Sequence, residues 1–175
     1  VRWSDQNDYT NWNVNVSSTS GENQLGDGSE LVTGLNTRNQ SLIWTDNAVH
    51  AMEFVGPPFI FNFRQLGSNC GIAGQHAAIE LDGRIFWMGA KDFFVYDGAV
   101  KALPCTVRRY VYDDFNFDQK EKVYAGTNQE FREVTWLYPS KDSTEVDRYV
   151  SYNPVENYWT FGTTIFTTWE DKEVF

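Results

Sequence analysis

The sequence predicts an all-β fold made of repeated short antiparallel sheets. Tryptophans recur within short β-prone runs at intervals of 41, 43 and 49 residues, at Trp3, Trp44, Trp87 and Trp136. Aromatic residues make up 17% of the chain, and such side chains suit the half-buried surface of a sheet. A repeat of about 40–50 residues with an aromatic in each unit is typical of β-propeller blades. We therefore expect one propeller-type domain or part of one over residues 1–175, with approximate blade units 1–40, 41–84, 85–133 and 134–175.

Short apolar runs between turn residues predict the individual strands. The expected strands cover 31–35, 41–44, 47–54, 59–63, 77–81, 84–88, 93–96, 99–103, 123–126, 133–138, 148–152 and 158–160, and a further strand is expected to begin at 165–169. The pairs Asp82-Gly83 and Asp97-Gly98 are strong signals for tight hairpin turns. The polar stretch 13–28 is predicted to be a surface loop. Three to four such strands in about 45 residues correspond to one blade.

One segment departs from the strand pattern. Residues 106–115 place Val107, Tyr110, Val111 and Asp114 at the spacing of one helix face. Thr106 precedes them and is of a residue type that caps helix N-termini. The sequence thus predicts one short helix between blades, capped by Thr106.

Charge restricts the classes of partner. The chain has 14 basic and 24 acidic residues, a net charge of −10 and a pI near 4.6. Such a surface repels phosphate backbones, which disfavours sequence-specific DNA binding but allows an acidic wall past which DNA slides. No run reaches the ~20 apolar residues of a membrane span, so no membrane partner is expected. Neither methionine is at position 1, and we expect a fragment of a larger propeller.

Residues with catalytic or metal-binding potential do not form recognisable sites. Cys70 and Cys105 are expected to be reduced and buried, with pairing across neighbouring strands as the alternative. The only histidines, His50 and His76, lack zinc-site spacing and are interpreted as structural side chains with satisfied hydrogen bonds. The alternating oxygens of 114–118 lack the glycine and glutamate of a calcium loop. We therefore predict no enzyme and no catalytic, cofactor-binding or metal residues.

A family resemblance is carried by an ordered series of segments. In chain order these are Arg2-Trp3-Ser4-Asp5, Trp12, Asp27-Gly28-Ser29, Leu42-Ile43-Trp44-Thr45-Asp46, Phe54-Val55-Gly56-Pro57-Pro58-Phe59-Ile60-Phe61, Asn69-Cys70-Gly71, Phe86-Trp87-Met88-Gly89, Phe93-Phe94-Val95-Tyr96-Asp97-Gly98 and Asp147-Arg148-Tyr149-Val150-Ser151-Tyr152-Asn153. In this order the chain resembles the β-propeller tail proteins of tailed bacteriophages. These are nozzle, hub or packaged-DNA stabilisation proteins, especially of marine and cyanobacterial phages. The resemblance covers nearly the whole sequence.

The resemblance implies a structural role in the virion. Copies of such proteins form a ring, typically a hexamer, below the portal and adaptor and in contact with other tail proteins. The ring surrounds the DNA channel, retains the packaged genome and mediates its exit, so genomic DNA would be close but not specifically bound. The implied location is the virion tail, assembled in the host cytoplasm. The family offers no catalytic residues or cofactors to carry over.

Two other functions fit the same composition. One alternative is a carbohydrate-binding or glycan-active β-propeller, which would use exposed aromatics and an acidic central pocket. The pair Ser4-Asp5 before Trp12 differs in spacing from the aspartate-box hairpins of sialidase propellers and lacks their glycine. The other alternative is a spike or fibre domain of a different viral structural protein. Genomic neighbours, above all a portal or adaptor gene, would discriminate between them.

Overall fold

The computed structural model describes residues 1–169, and strands dominate it. Strands account for 44% of the chain and helices for 8%, which confirms the all-β class. The chain divides into two compact units, Val1–Asn69 and the residues from Cys70 onward, called here the first and second units. Each unit is built from antiparallel sheets of sequential strands.

In the first unit, residues 31–68 form a four-stranded sheet. Its strands follow the chain order β3-β4-β5-β6, and a separate two-stranded pair, β1-β2, precedes it. The strands are β1 Arg2–Trp3, β2 Gly21–Glu22, β3 Leu31–Asn36, β4 Ser41–Thr45, β5 Ala48–Gly56 and β6 Ile60–Ser68. One sheet face carries the fully buried Leu42, Trp44 and Val49. The indole of Trp3 stacks on Phe63, which the strand register places on the opposite face.

The second unit begins with another four-stranded sheet over residues 78–102. Its order is β7-β8-β9-β10, with β7 Ala78–Leu81, β8 Arg84–Met88, β9 Phe93–Tyr96 and β10 Val100–Ala102. The β7–β8 turn has positive φ at both Asp82 and Gly83, 52° and 74°. Two consecutive positive φ values are the geometry of a type I′ turn, which explains why Asp-Gly occupies it.

A helical connection leads from this sheet to the next. Helix α1 spans Arg108–Asp114, and a 3₁₀ segment follows at Phe117–Lys122. The helix prediction is confirmed, but the expected Thr106 cap is wrong: the N-cap residue is Val107, and no side chain caps the helix. The spacing signal located the helix, whereas the cap position was one residue too early. This connection also explains why the interval from Trp87 to Trp136 is the longest of the three.

The last sheet occupies residues 124–163. Its order is β11-β12-β13-β14, with β11 Tyr124–Asn128, β12 Glu133–Tyr138, β13 Arg148–Asn153 and β14 Tyr158–Thr163. The strand expected from Ile165 to Trp169 is absent from these described residues, so that prediction is wrong. Side-chain contacts hold this segment instead, because the Trp169 indole N–H donates to the Thr127 carbonyl at 2.7 Å.

The two sheets of the second unit pack face to face through aromatic side chains. The Phe93 ring lies 4.8 Å from Trp136 and 4.9 Å from Trp159, and Phe86 lies 6.3 Å from Tyr152. Each pair joins a strand of β7–β10 to a strand of β11–β14. Aromatic pairs at these distances contribute beyond simple burial, by about 0.5–1.5 kcal/mol each.

The first strands of these two sheets lie next to each other. His76, just before β7, forms a parallel bridge with Tyr124, and the Ala125 N–H donates to the His76 carbonyl at 2.7 Å. The Trp136 indole N–H donates to the Ala77 carbonyl at 3.1 Å. The sheets therefore meet along β7 and β11 as well as across their faces.

Three of the four tryptophans of the repeat occupy one position in the sheets, whereas Trp3 is half-buried on the two-stranded pair β1-β2 and departs from the expected pattern. Trp44, Trp87 and Trp136 all lie on the second strand of a four-stranded sheet, and all three are completely buried. The observed sheets span 31–68, 78–102 and 124–163, so the expected unit boundaries near 40, 84 and 133 fall beside the tryptophan strands, inside the sheets. The repeat is therefore a core feature, with each sheet starting one strand before its tryptophan.

Candidate interaction surface on the second unit

A pocket of about 590 Å³ lies on the outer face of the last sheet, and we call it the outer pocket. Its floor consists of Thr135 and Leu137 on β12 with their cross-strand partners Ser151 and Tyr149 on β13. Successive residues of a strand point to opposite faces, so these side chains point away from the buried Trp136. The pocket thus occupies the face that does not pack against β7–β10.

One wall of the outer pocket is the segment that follows β14. Ile165, Phe166 and Trp169 supply its apolar surface, and Trp169 is 40% exposed. Gly126 on β11 lets the indole ring lie against the sheet, because a Cβ there would be 2.6 Å from Trp169 Cδ1. The indole N–H of Trp169 also donates to the Thr127 carbonyl, and this hydrogen bond holds the ring in position. Trp169 is therefore a partly exposed aromatic side chain whose position is fixed by its contact with Gly126 and its hydrogen bond to Thr127.

A second aromatic ring is placed by a second glycine. A Cβ on Gly162 of β14 would be 2.8 Å from Cε1 of Tyr149, so only glycine allows the tyrosine ring to lie across that strand. The register pairs the two residues directly. Tyr149 and Trp169 both contribute to the pocket lining.

The outer pocket is lined by polar as well as apolar groups. Glu133 is the carboxylate of the lining, and it accepts a hydrogen bond from the Tyr158 hydroxyl at 2.8 Å. This bond raises the pKa of Tyr158, which keeps the phenol a neutral donor. On the floor, the Thr135 and Ser151 hydroxyls are paired at 2.7 Å. The pocket can therefore receive an apolar or aromatic group and offer hydrogen bonds from its polar lining residues.

The histidine expectation fails for His50 in the first unit. His50 is only 4% exposed, and both of its ring nitrogens lack a hydrogen-bond partner within the described chain. Burial lowers the pKa of His50, although the Asp27 carboxylate acts in the opposite direction. Asp27 itself has a lowered pKa because it accepts hydrogen bonds from Ser68, Asn47 and Gln65. His76, by contrast, is exposed, with its ring 5.6 Å from Tyr124.

The cysteines do not form a reactive pair. Within residues 1–169 Cys70 and Cys105 are not joined by a disulfide. Cys70 is buried as expected, whereas Cys105 is only partly so. Burial nevertheless raises the pKa of Cys105 to about 11, so little thiolate is present at neutral pH.

The acidic run 114–118 is used for structure. The Asp114 carboxylate pairs with Arg148 at 3.2 Å, and the Asn116 side chain caps the 3₁₀ segment by accepting from the Asp118 N–H. Over the described residues, no group of three or more His, Cys, Asp or Glu side chains is arranged to hold a metal ion.

The outer pocket is a site that the sequence patterns did not reveal. Its floor depends on which residues of β12 and β13 face each other, and its wall depends on where the segment after β14 lies. Local sequence patterns report neither property. A usable signal was present in Gly126 and Gly162, since a glycine inside a strand indicates close approach of another group.

No helix in the described chain combines the length and apolar character of a membrane span. Neither a protein-family model nor a curated protein matches the sequence, so its function is inferred from the geometry and chemistry of its residues.

Proposed function

We propose that this chain is a propeller-type structural subunit of a bacteriophage tail, in the nozzle or hub ring around the DNA channel. The ring would retain the packaged genome and conduct it at ejection, assembled from copies of this protein in the host cytoplasm together with portal, adaptor and other tail proteins. The resemblance of the ordered segments to tail propeller proteins motivates the proposal.

The packing of the second unit is the observation that supports it most directly. Two successive four-stranded sheets lie face to face, with their first strands β7 and β11 side by side and parallel at the His76–Tyr124 bridge. Blades arranged around a propeller axis present their first strands in this way, because radial repetition puts those strands nearest the channel. This packing supports the proposal that the two sheets of the second unit are neighbouring blades.

Surface charge is consistent with a passage for DNA. With a net charge of −10, the chain would repel a phosphate backbone and let it move without being gripped. Such a subunit needs no catalytic group, and its function depends on assembly.

The ring can be tested by electron microscopy and native mass spectrometry of the full-length protein. We expect closed rings, with six copies as the first expectation, and the same protein in purified tails. A protein that stays monomeric at high concentration and is missing from particles would exclude the tail-ring role.

A carbohydrate-binding propeller is the second candidate, and the outer pocket favours it. A fixed, partly exposed Trp169 beside the Glu133 carboxylate combines an aromatic platform with a hydrogen-bond acceptor, which suits the apolar face and hydroxyls of a sugar ring. A glycan array and a glycosidase screen test this candidate. Saturable sugar binding that Trp169→Ala abolishes would favour it over the ring.

A further inference from the structure

A protruding hairpin in the first unit ends in exposed apolar side chains. Strand β4 pairs with β5 only as far as Met52, and beyond that residue β5 and β6 continue as a two-stranded hairpin. We call residues 54–61 the hairpin tip. At this tip Phe59 is 77% exposed and Phe54 is 67% exposed, and Val55 and both prolines between them are also exposed. Exposed apolar clusters on soluble proteins commonly mark contact surfaces.

The backbone presents the tip in a defined conformation. Gly56 has a φ of 78° and Ile60 a φ of 60°, a left-handed value that is rare for a β-branched residue. The Phe61 N–H donates to the Phe59 carbonyl at 2.7 Å, and the Phe61 ring packs edge-on against Trp3 at 5.2 Å. Phe59 is therefore displayed by a supported turn, and a preorganised anchor loses little entropy on binding.

The outer pocket of the second unit has properties that complement the tip. Its 590 Å³ volume falls in the range of sites that take compact organic groups, and Ile165, Phe166 and Trp169 give it an apolar wall. A phenylalanine ring inserted there would contact the held indole of Trp169. Both surfaces belong to one sequence, so each copy carries a hairpin tip and an outer pocket.

Charge favours contact between copies at these two places. Residues 54–63 contain no charged side chain, and at the base of the hairpin Glu53 and Arg64 are paired at 3.4 Å. Among the described residues that line the outer pocket, Glu133 is the only one with a carboxylate. Two chains of net charge −10 repel each other, so contact between the uncharged tip and the described pocket lining, with its one carboxylate, meets less repulsion than contact between acidic surfaces.

We propose that the hairpin tip of one copy inserts Phe59 into the outer pocket of a second copy. This inference rests on the proposed self-assembly of the chain and names the contact that produces it. Because the two surfaces differ, the interface is head-to-tail, and repeating it yields a closed ring or an open filament according to the rotation per copy. No symmetric dimer is expected from this contact.

Complementation of two defective variants tests the contact. Phe59→Ser removes the aromatic side chain of the tip, and Thr135→Trp, on the pocket floor, fills the pocket. Each variant alone should assemble about 30-fold or more weakly, the loss typical of a buried aromatic anchor. A mixture should form one-to-one dimers, because the intact tip of Thr135→Trp fits the intact pocket of Phe59→Ser. Analytical ultracentrifugation and native mass spectrometry measure both results.

Matched controls separate this contact from general effects. Phe131→Ser removes another exposed phenylalanine and should leave assembly unchanged. Ile165→Asp, at a 91% exposed wall position, should weaken assembly without filling the pocket, so it tests the pocket independently if Thr135→Trp fails to fold. Circular dichroism and thermal melting should show that each variant is folded.

The outcomes distinguish the inference from the proposed function. Normal rings from Phe59→Ser and Ile165→Asp would overturn the tip–pocket contact and leave the ring role intact. A monomeric wild-type protein would overturn both. Two other results would also overturn the contact: Phe59-dependent binding to phosphatidylcholine vesicles, which would make lipid the occupant of the tip, and sugar binding in the pocket that leaves assembly unaffected.

Discussion

At the residue scale, the environment of a single side chain sets the behaviour of the first unit with pH. His50 is buried without a hydrogen-bond partner among the described residues, so its neutral form is favoured in the folded state. An imidazole in this position is a source of instability in acid. It is also the place where the expectation of a satisfied histidine was wrong.

We predict that the unfolding free energy falls as the pH is lowered from about 6.5 to 5. Burial depresses the pKa of His50 below its ordinary 6.5, so below that pH the unfolded chain binds more protons than the folded one. Stability is therefore complete above pH 6.5 and is lost as the pH falls. Urea unfolding at pH 7 and pH 5 measures the effect, and His50→Leu should reduce the difference. The exposed His76→Asn serves as control, and an unchanged slope in His50→Leu would contradict the assignment.

Gly126 gives a second prediction at this scale. Gly126→Ala should displace the Trp169 ring, because the new Cβ would lie 2.6 Å from Cδ1 of that indole. We expect a loss of about 1–3 kcal/mol, the usual cost of overpacking. In a double-mutant cycle the cost should shrink in a Trp169→Ala background. Gly34→Ala is the matched strand control, since its Cβ would meet only the Leu42 carbonyl at 3.5 Å. Equal effects of Gly126→Ala with and without Trp169 would refute the contact.

At the element scale, the link between β7 and β11 holds the two sheets of the second unit together. Trp136→Phe should cost about 1–3 kcal/mol, because it removes the hydrogen bond to the Ala77 carbonyl and part of the buried ring. Chemical denaturation measures this loss. Trp12→Phe, at an exposed site, should change stability by less than about 0.5 kcal/mol. A small effect of Trp136→Phe would show that the link is dispensable.

The elements also show where sequence patterns succeed. The β7–β8 hairpin was predictable because Asp82-Gly83 satisfies positive φ at both turn positions, and short apolar runs on either side of the turn define its strands. The helix was predictable from local spacing. Residues 165–169 were not, because an aromatic run has the composition of a strand whether or not an edge is available for pairing. The outer pocket was hidden for a related reason: the register of β12 against β13 is a non-local property.

At the scale of the whole molecule, we expect charge to govern association between copies. The head-to-tail contact proposed above joins an uncharged tip to a pocket that contains Glu133, in chains that are strongly acidic, so repulsion between copies should oppose assembly at low ionic strength. The tail-ring role and the propeller arrangement both remain predictions at this scale, supported by the packing of the second unit and by the ordered sequence resemblance.

We predict that raising NaCl from 50 to 500 mM strengthens association of the wild-type chain. Salt shortens the Debye length from more than about 10 Å to a few ångströms, which screens repulsion between net charges of −10 and leaves apolar contacts intact. Sedimentation across a salt series measures the association constant. Assembly that weakens with salt would mean that ion pairs hold the copies together.

The two sheets of the second unit leave the ribosome one after the other, and the first sheet stays uncovered until the second has been synthesised. Sheet β7–β10 is complete at Ala102, but β11–β14, which covers its Phe86 and Phe93 face, ends only at Thr163. At a translation rate of roughly 5–20 residues per second, the apolar face of β7–β10 stays exposed for about 3–12 s before β11–β14 can pack on it. Synonymous codons between residues 103 and 163 thus set how long nascent chains remain prone to aggregate, and with it the yield of folded protein.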